Sequence, residues 1–171
     1  MQDTKAKAVL LMIAILSVIP TTSMASDNPL APFDSIVGRW ESGDSYHVIE
    51  WGVGGKVVFS RSYFVVEGAD QLVSEGWWLW HPATKVIQGT AVAVGMPFDL
   101  LEMETRFEEG NLVSDLVGVA ADGSRQRYRE TWEFTDEDHY TWTLYALGDE
   151  GETVMMNGKY RRATSQGASA K

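Results

Sequence analysis

The sequence predicts an all-β protein, an antiparallel and mostly up-and-down barrel of about nine or ten short strands. Short runs of β-branched and aromatic residues recur along the chain and are separated by glycine, asparagine or aspartate turns. No interval between the runs is long enough for a crossover helix, which indicates antiparallel pairing. The stretch 50–82 has large apolar side chains on both strand faces and four of the seven tryptophans, as expected of a barrel wall.

The first 25 residues have the features of a secretory signal peptide. Two lysines precede the apolar run Ala8–Ile19, and the small residues Ser23 and Ala25 follow at the spacing of a cleavage site. The run has 12 residues and ends at a proline, whereas a membrane-spanning helix needs roughly 20 apolar residues. We therefore expect cleavage after Ala25, a periplasmic or secreted protein, and no membrane attachment after cleavage.

The rest of the chain is predicted to form one domain with two short flanking segments. Residues 26–32 are small and proline-rich, and we expect them to form a loosely held arm. The apolar residues of 33–37 have the spacing of one helical turn, which predicts a short N-terminal helix that plugs one barrel end. The barrel domain is predicted at 33–162, and the tail 163–171 is low in hydrophobicity and expected to be disordered.

The composition narrows the possible partners. The formal net charge is −10, and the acidic residues are dispersed without a run of five. This charge disfavours nucleic acid and anionic lipid as partners. The chain has no cysteine, so an exported form must be stable without disulfides.

Motifs for several common chemistries are missing. Gly52–Gly55 lacks the Lys-Ser/Thr ending of a phosphate-binding loop and precedes no predicted helix, so we interpret it as a hairpin turn. The three histidines, His47, His81 and His139, have none of the short spacings of metal ligands, so no metal site is predicted. No serine lies in a G-x-S-x-G motif, and hydrolase activity is therefore not indicated.

Two places near opposite ends of the chain carry a family resemblance. Gly38-Arg39-Trp40 follows the predicted helix, and Arg161 or Arg162 ends the last predicted strand. They resemble the signature of the calycins, which include lipocalins and fatty-acid-binding proteins. In that signature a Gly-x-Trp opens the first strand and a basic residue near the last strand packs against the indole. The resemblance implies a calycin-like barrel in which Trp40 and one of the two arginines touch and close one end.

Longer phrases extend this resemblance. WGVGGKVV, GWWLWHP and ETWEFTDEDHYTWTLY look like those of uncharacterised bacterial exported proteins with calycin-like barrels, and the similarity covers nearly all of the chain after residue 25. The second lipocalin motif and the lipocalin disulfide are missing from this sequence. Nitric-oxide-binding heme barrels share the general shape, but their proximal histidine matches none of the three histidines by motif. We therefore expect no cofactor.

Three charged residues, Arg61, Glu75 and Glu130, interrupt strand faces that are otherwise apolar. We expect them to meet inside the barrel and to hold the head group of a small, mostly apolar or amphipathic ligand. The predicted ligand-binding residues are Arg61, Glu75, Glu130, Tyr63, Trp132 and Trp142. An equally open alternative is a structural ion pair of Arg61 with Glu75 or Glu130 that binds nothing.

Two functions remain open for this predicted site. The first is an exported protein that binds a small molecule. The alternative is an enzyme of the barrel cyclase or isomerase kind, in which burial raises the pKa of Glu75 or Glu130 so that it serves as acid or base. In addition, Trp77 and Trp78 are neighbours in one predicted strand and must face opposite sides, so an exposed one can form a homodimer contact.

Overall fold

The structure, a computed structural model, describes residues 28–164. The predicted signal peptide at 1–25 and the predicted tail beyond residue 164 lie outside the described residues. Ten strands make up most of the described chain: β1 (Gly38–Ser42), β2 (Ser45–Trp51), β3 (Val57–Val66), β4 (Ala69–His81), β5 (Val86–Ala93), β6 (Leu100–Glu108), β7 (Asn111–Val119), β8 (Arg125–Asp136), β9 (His139–Gly148) and β10 (Gly151–Arg162).

These strands form one closed barrel in which sequence neighbours pair antiparallel. The barrel closes where β1 pairs with β10, with Trp40 opposite Arg162 and Glu41 opposite Arg161. The predicted all-β, antiparallel, up-and-down architecture is therefore confirmed. The alternating sequence pattern produces this sheet because successive side chains of a strand point to opposite faces, here the interior and the outer surface.

The chain enters the barrel through a 3-10 turn at Ala31–Ser35, in place of the short helix expected at 33–37. Phe33 in this turn is fully buried, and Leu30 and Ile36 on either side are each 1% exposed. The expectation of a loose arm up to residue 32 is wrong at Leu30, because its side chain belongs to the core. The turn and its neighbours therefore act as a plug at one barrel end.

Large side chains fill the barrel around this plug. The Phe33 ring lies 5.1 Å from Phe107 in an edge-to-face arrangement, and Trp40 lies 5.9 Å from Phe134. Trp40 has no exposed surface. We call this region the closed end, defined by Phe33, Ile36, Trp40, Phe107 and Phe134. Such dense aromatic packing is a main source of stability in a barrel without disulfides.

The outer surface is crossed by ion pairs between neighbouring strands. Asp115 of β7 accepts hydrogen bonds from Arg106 of β6 at 2.7 Å and from Arg129 of β8 at 3.1 Å, and Arg129 also binds Glu152 of β10 at 2.5 Å. All four side chains are partly exposed. Because exposed pairs contribute only about 0–1 kcal/mol each, they give the outer surface its polar character more than its stability.

Candidate ligand-binding site

The barrel contains a cavity of about 360 Å³. Its lining includes buried residues such as Trp78 and Leu116. It also includes Phe64, Val94 and Met156, which are 49%, 68% and 44% exposed. Because the lining extends to exposed side chains, the cavity reaches the surface there. We call Phe64, Val94 and Met156 the open rim.

The space exists because inward positions on three strands carry small side chains. The cavity is lined on β3, β4 and β5 by Ser60, Ser62, Ser74, Gly76, Ala91 and Ala93. Gly76 lies directly opposite Ala91, and a Cβ atom added at Gly76 would lie 2.7 Å from the Cβ of Ala91. The backbones are thus in close contact where the side chains are smallest, and the volume that larger residues would fill is left to the cavity.

Glu130, in the middle of β8, is the charged side chain of this lining. Trp142 of β9 donates its indole N–H to Glu130 Oε1 at 2.5 Å. Glu130 is surrounded by protein but keeps part of its surface accessible. A molecule in the cavity can therefore reach this carboxyl group.

Burial raises the pKa of Glu130 above its ordinary value, and the indole N–H groups of Trp142 and Trp132 partly oppose that rise. Trp132 Nε1 completes no hydrogen bond with residues of the described chain. Its effect on the pKa therefore comes from proximity to the carboxyl group. The site thus contains an acid whose charge is unfavourable without a partner.

Stacked rings stand beside the carboxyl group. The Trp132 and Tyr140 rings are 4.9 Å apart and nearly parallel, at 7°, and Tyr140 stacks on Tyr160 at 5.1 Å. His47 completes a cluster with these rings, because its imidazole lies 4.2 Å from Tyr160 and 5.7 Å from Trp132 and its Nδ1 is hydrogen-bonded to the Tyr140 hydroxyl at 2.9 Å. Three members of this cluster, His47, Trp132 and Tyr160, line the cavity.

These neighbours of Glu130 are neutral at neutral pH. Burial lowers the pKa of the His47 imidazole to about 4. Burial raises the pKa of Tyr140 and Tyr160, and the nearby Glu130 carboxylate raises both further. Glu130 is therefore the acidic group beside these neutral side chains, and burial disfavours its charged form.

Arg61 and Glu75 do not join Glu130. Arg61 Nε donates to Glu75 Oε2 at 2.6 Å, and its Nη1 binds Glu50. The Arg61 side chain is 32% exposed and both glutamates are more exposed than that. The prediction that Arg61, Glu75 and Glu130 meet inside the barrel is therefore wrong.

Strand alternation explains this placement. Ser60 and Ser62 line the cavity, so Arg61 between them must point to the outer surface. Glu75 lies opposite Arg61 in the pairing of β3 with β4 and shares its face. The ion pair of the alternative interpretation does form, but it lies outside the barrel and leaves Glu130 unpaired.

The predicted aromatic residues are divided between two faces. Trp132 and Trp142 line the cavity beside Glu130. Tyr63 borders the cavity next to an irregularity in the β3–β4 pairing, but its ring stacks on Tyr46 at 4.7 Å. Tyr46 in turn lies under the Arg39 guanidinium on the outer surface.

Sequence reasoning missed His47, Tyr140 and Tyr160. A signal for one of them was available, because Tyr140 is in phase with Trp142 on the same strand. His47 and Tyr160 come from β2 and β10, and only the closure of the barrel brings them next to Trp132 on β8.

The closed end shows how the first and last strands meet. The Arg162 guanidinium lies over the Trp40 ring, 4.1 Å from its centre, and donates to the backbone carbonyls of Val37 at 2.9 Å and Ser35 at 2.6 Å. Arg161, the other predicted candidate, binds Glu41 on the outer surface. The contact between an indole and a terminal-strand arginine thus involves Trp40 and Arg162.

The fold and its interior define a class of protein, a closed antiparallel ten-stranded barrel with an accessible cavity. Within residues 28–164, no group of three or more His, Cys, Asp or Glu side chains is arranged to hold a metal ion. None of the helical segments in that range is long and apolar enough to cross a membrane. No protein-family model matches the chain, and comparison with curated proteins gives no match.

Proposed function

We propose that this protein is an exported, calycin-like barrel that binds a small, mostly apolar or amphipathic molecule in its cavity. The observation that carries the proposal is a cavity of about 360 Å³ with an apolar and aromatic lining, an open rim and one carboxyl group. Ligand sites in proteins have this composition, with few polar groups that orient the bound molecule.

The small inward residues support a binding role over a purely structural one. Protein interiors are normally close-packed, and each void loses van der Waals contacts that larger side chains would make. Six small residues around one space on β3, β4 and β5 forgo these contacts. A bound molecule would restore them.

A fluorescence experiment tests whether the cavity binds apolar molecules. N-phenyl-1-naphthylamine is a neutral aromatic probe that emits strongly out of water. Ala91→Phe adds a ring inside the cavity, while Val92→Phe adds the same ring at a position that is 51% exposed. We expect bright emission with the parent and with Val92→Phe, and its loss with Ala91→Phe. Equal emission from both variants would contradict binding in the cavity.

The proposed export has its own test. The basic and apolar pattern of residues 1–25 supports a periplasmic or secreted location. Protein expressed with its full sequence and recovered from the periplasm should begin at Ser26. Native mass spectrometry of that sample should also show any co-purified molecule as an added mass. A full-length mass in the cytoplasmic fraction would contradict the location.

One observation favours an enzyme as a second candidate. The pKa of Glu130 is raised by burial, and a raised pKa suits a carboxyl group to proton transfer near neutral pH. Glu75 does not fit this role because it lies on the outer surface. The two candidates differ in what happens to the molecule in the cavity. A binding protein releases it unchanged after denaturation, whereas a cyclase or isomerase yields an isomer of what was added.

We also propose that any homodimer contact uses Trp77. Trp77 is 40% exposed, whereas Trp78 is 4% exposed and belongs to the core. Exposed large apolar groups mark contact surfaces in many proteins. Light scattering at high concentration should give the mass of a dimer for the parent and of a monomer for Trp77→Asp. A parent that stays monomeric excludes this contact.

A further inference from the structure

The described lining of the cavity contains an acidic side chain that has no lysine or arginine partner. Among the described residues that line the cavity, Glu130 is the acidic side chain, and neither lysine nor arginine is present. Arg129, the neighbour of Glu130 in β8, points to the outer surface, where it binds Asp115 and Glu152. A carboxylate inside a protein is strongly unfavourable unless it is paired.

The hydrogen bonding of Glu130 is incomplete. Oε1 accepts the Trp142 indole N–H at 2.5 Å. Oε2 has no hydrogen-bond partner within residues 28–164, and part of its surface is accessible. A carboxylate can accept several hydrogen bonds through its two oxygens. The free oxygen therefore leaves a place for a donor from the cavity.

The described lining of the cavity places aromatic rings, and no cationic side chain, around that carboxyl group. Trp132 and Trp142 line the cavity, and Trp132 is the first ring of the stack with Tyr140 and Tyr160. The faces of aromatic rings attract cations and repel anions. His47, the remaining basic side chain of the lining, is held neutral by burial, which lowers its pKa to about 4.

We propose that the ligand is an organic amine: a protonated amino group donates to the free oxygen of Glu130, and its apolar body lies against the tryptophans. This inference rests on the proposed binding function and specifies the chemistry of the ligand. An ammonium group supplies both the missing hydrogen bond and the missing charge. A carboxylate supplies neither, because it has no hydrogen-bond donor and would place a second negative charge beside that of Glu130.

Three probes with one phenylbutyl body isolate the head group: 4-phenylbutylamine, 4-phenylbutan-1-ol and 5-phenylpentanoate. Their affinities are measured by isothermal titration calorimetry at neutral pH. Because hydrogen bonds between charged groups are stronger than neutral ones, we expect the amine to bind roughly tenfold or more tightly than the alcohol. The acid should bind most weakly.

Two variants assign the preference to one carboxyl group. Glu130→Gln keeps the shape and an oxygen for the Trp142 N–H, and it should reduce the affinity of the amine to that of the alcohol. Glu133→Gln removes an exposed carboxylate from the outer face of the same strand and should leave all three affinities unchanged. Thermal melting of both variants verifies that they are folded.

The outcomes separate this inference from the proposed function. If the alcohol binds the parent protein as tightly as the amine, or if the acid binds best, the amine inference is wrong while the cavity remains a binding site. An amine preference that survives in Glu130→Gln also overturns it. If none of the three probes binds at any soluble concentration, both the amine inference and the binding function fail.

Discussion

The closed end and the open rim are built from opposite kinds of inward side chain. At the closed end Phe33, Ile36 and Trp40 are at most 1% exposed, and the two aromatic rings among them pack edge-to-face on neighbouring rings. Towards the open rim the strands present serine, glycine and alanine to the interior, and Phe64 and Met156 are largely exposed. The closed end of the barrel therefore provides dense packing, and the free space lies towards the open rim.

The same contrast holds for charge. Arg162 at the closed end lies over an indole and donates to three backbone carbonyls, so its hydrogen bonds are supplied by the protein. Glu130 by the cavity has one indole partner and a pKa raised by burial. A group that is satisfied by the fold indicates a structural role, and a group that is not indicates a place where another molecule can act.

Trp40→Ala should have the largest effect on stability. Trp40 is fully buried between Phe134, Tyr140 and the Arg162 guanidinium. Removal of a buried tryptophan side chain costs about 3–5 kcal/mol, which urea unfolding measures directly. Val53→Ala is the control, because Val53 is 81% exposed. A Trp40→Ala variant that melts within a degree or two of the parent would refute the structural role of the closed end.

His47 should make the protein sensitive to acid. Burial lowers the pKa of His47 from 6.5 to about 4, so the unfolded chain takes up a proton on this group before the folded chain does. The stabilisation is complete above pH 6.5 and is lost as the pH falls towards 4, for a total of about 3 kcal/mol.

Urea unfolding of the parent and of His47→Gln between pH 4 and 7 measures this contribution. The parent should lose stability on acidification more steeply than His47→Gln. Identical slopes for the parent and His47→Gln would show that His47 does not carry the effect.

Glu130 should make the protein less stable as the pH rises, which is opposite to the effect of His47. Its pKa is raised in the folded state above the ordinary value of 4.5, so the folded chain holds the proton more tightly than the unfolded chain. The stabilisation is present below pH 4.5 and is lost as the pH rises through the folded pKa. Glu130→Gln stays neutral, so its unfolding free energy relative to the parent should increase with pH. A constant difference between pH 4 and 8 would contradict the burial of this carboxyl group.

The barrel could be predicted from the sequence because its signals are local. Alternation and turn residues occur within single strands and hairpins, and they require no knowledge of distant contacts. A contact of Trp40 with Arg161 or Arg162 could be anticipated for a different reason, since the two ends of a closed sheet must meet, whereas the choice of Arg162 came only from the structure.

Which face of β3 points into the barrel could not be predicted in the same way. Phe59, Arg61 and Tyr63 share one face, which resembles a core face because of its aromatics. The structure turns Ser60 and Ser62 inward instead. A barrel with a cavity needs small residues inside, so the rule that the larger apolar face is buried fails where the protein keeps space. The rule holds for Glu130, which lies between Tyr128 and Trp132 on a strand face whose large side chains are buried.

Arg61→Met should have the smallest effect and tests the division between outside and inside. Arg61 is bound to Glu50 and Glu75 on the outer surface, where all three side chains are partly exposed. Removal of exposed ion pairs costs about 0–1 kcal/mol, so the unfolding free energy should change little. Binding of the phenylbutyl probes should not change, because the cavity lies on the other face of β3. If Arg61→Met weakens probe binding tenfold while Glu130→Gln leaves it intact, Arg61 belongs to the ligand site. The assignment of Arg61 to the outer face of β3 would then be wrong.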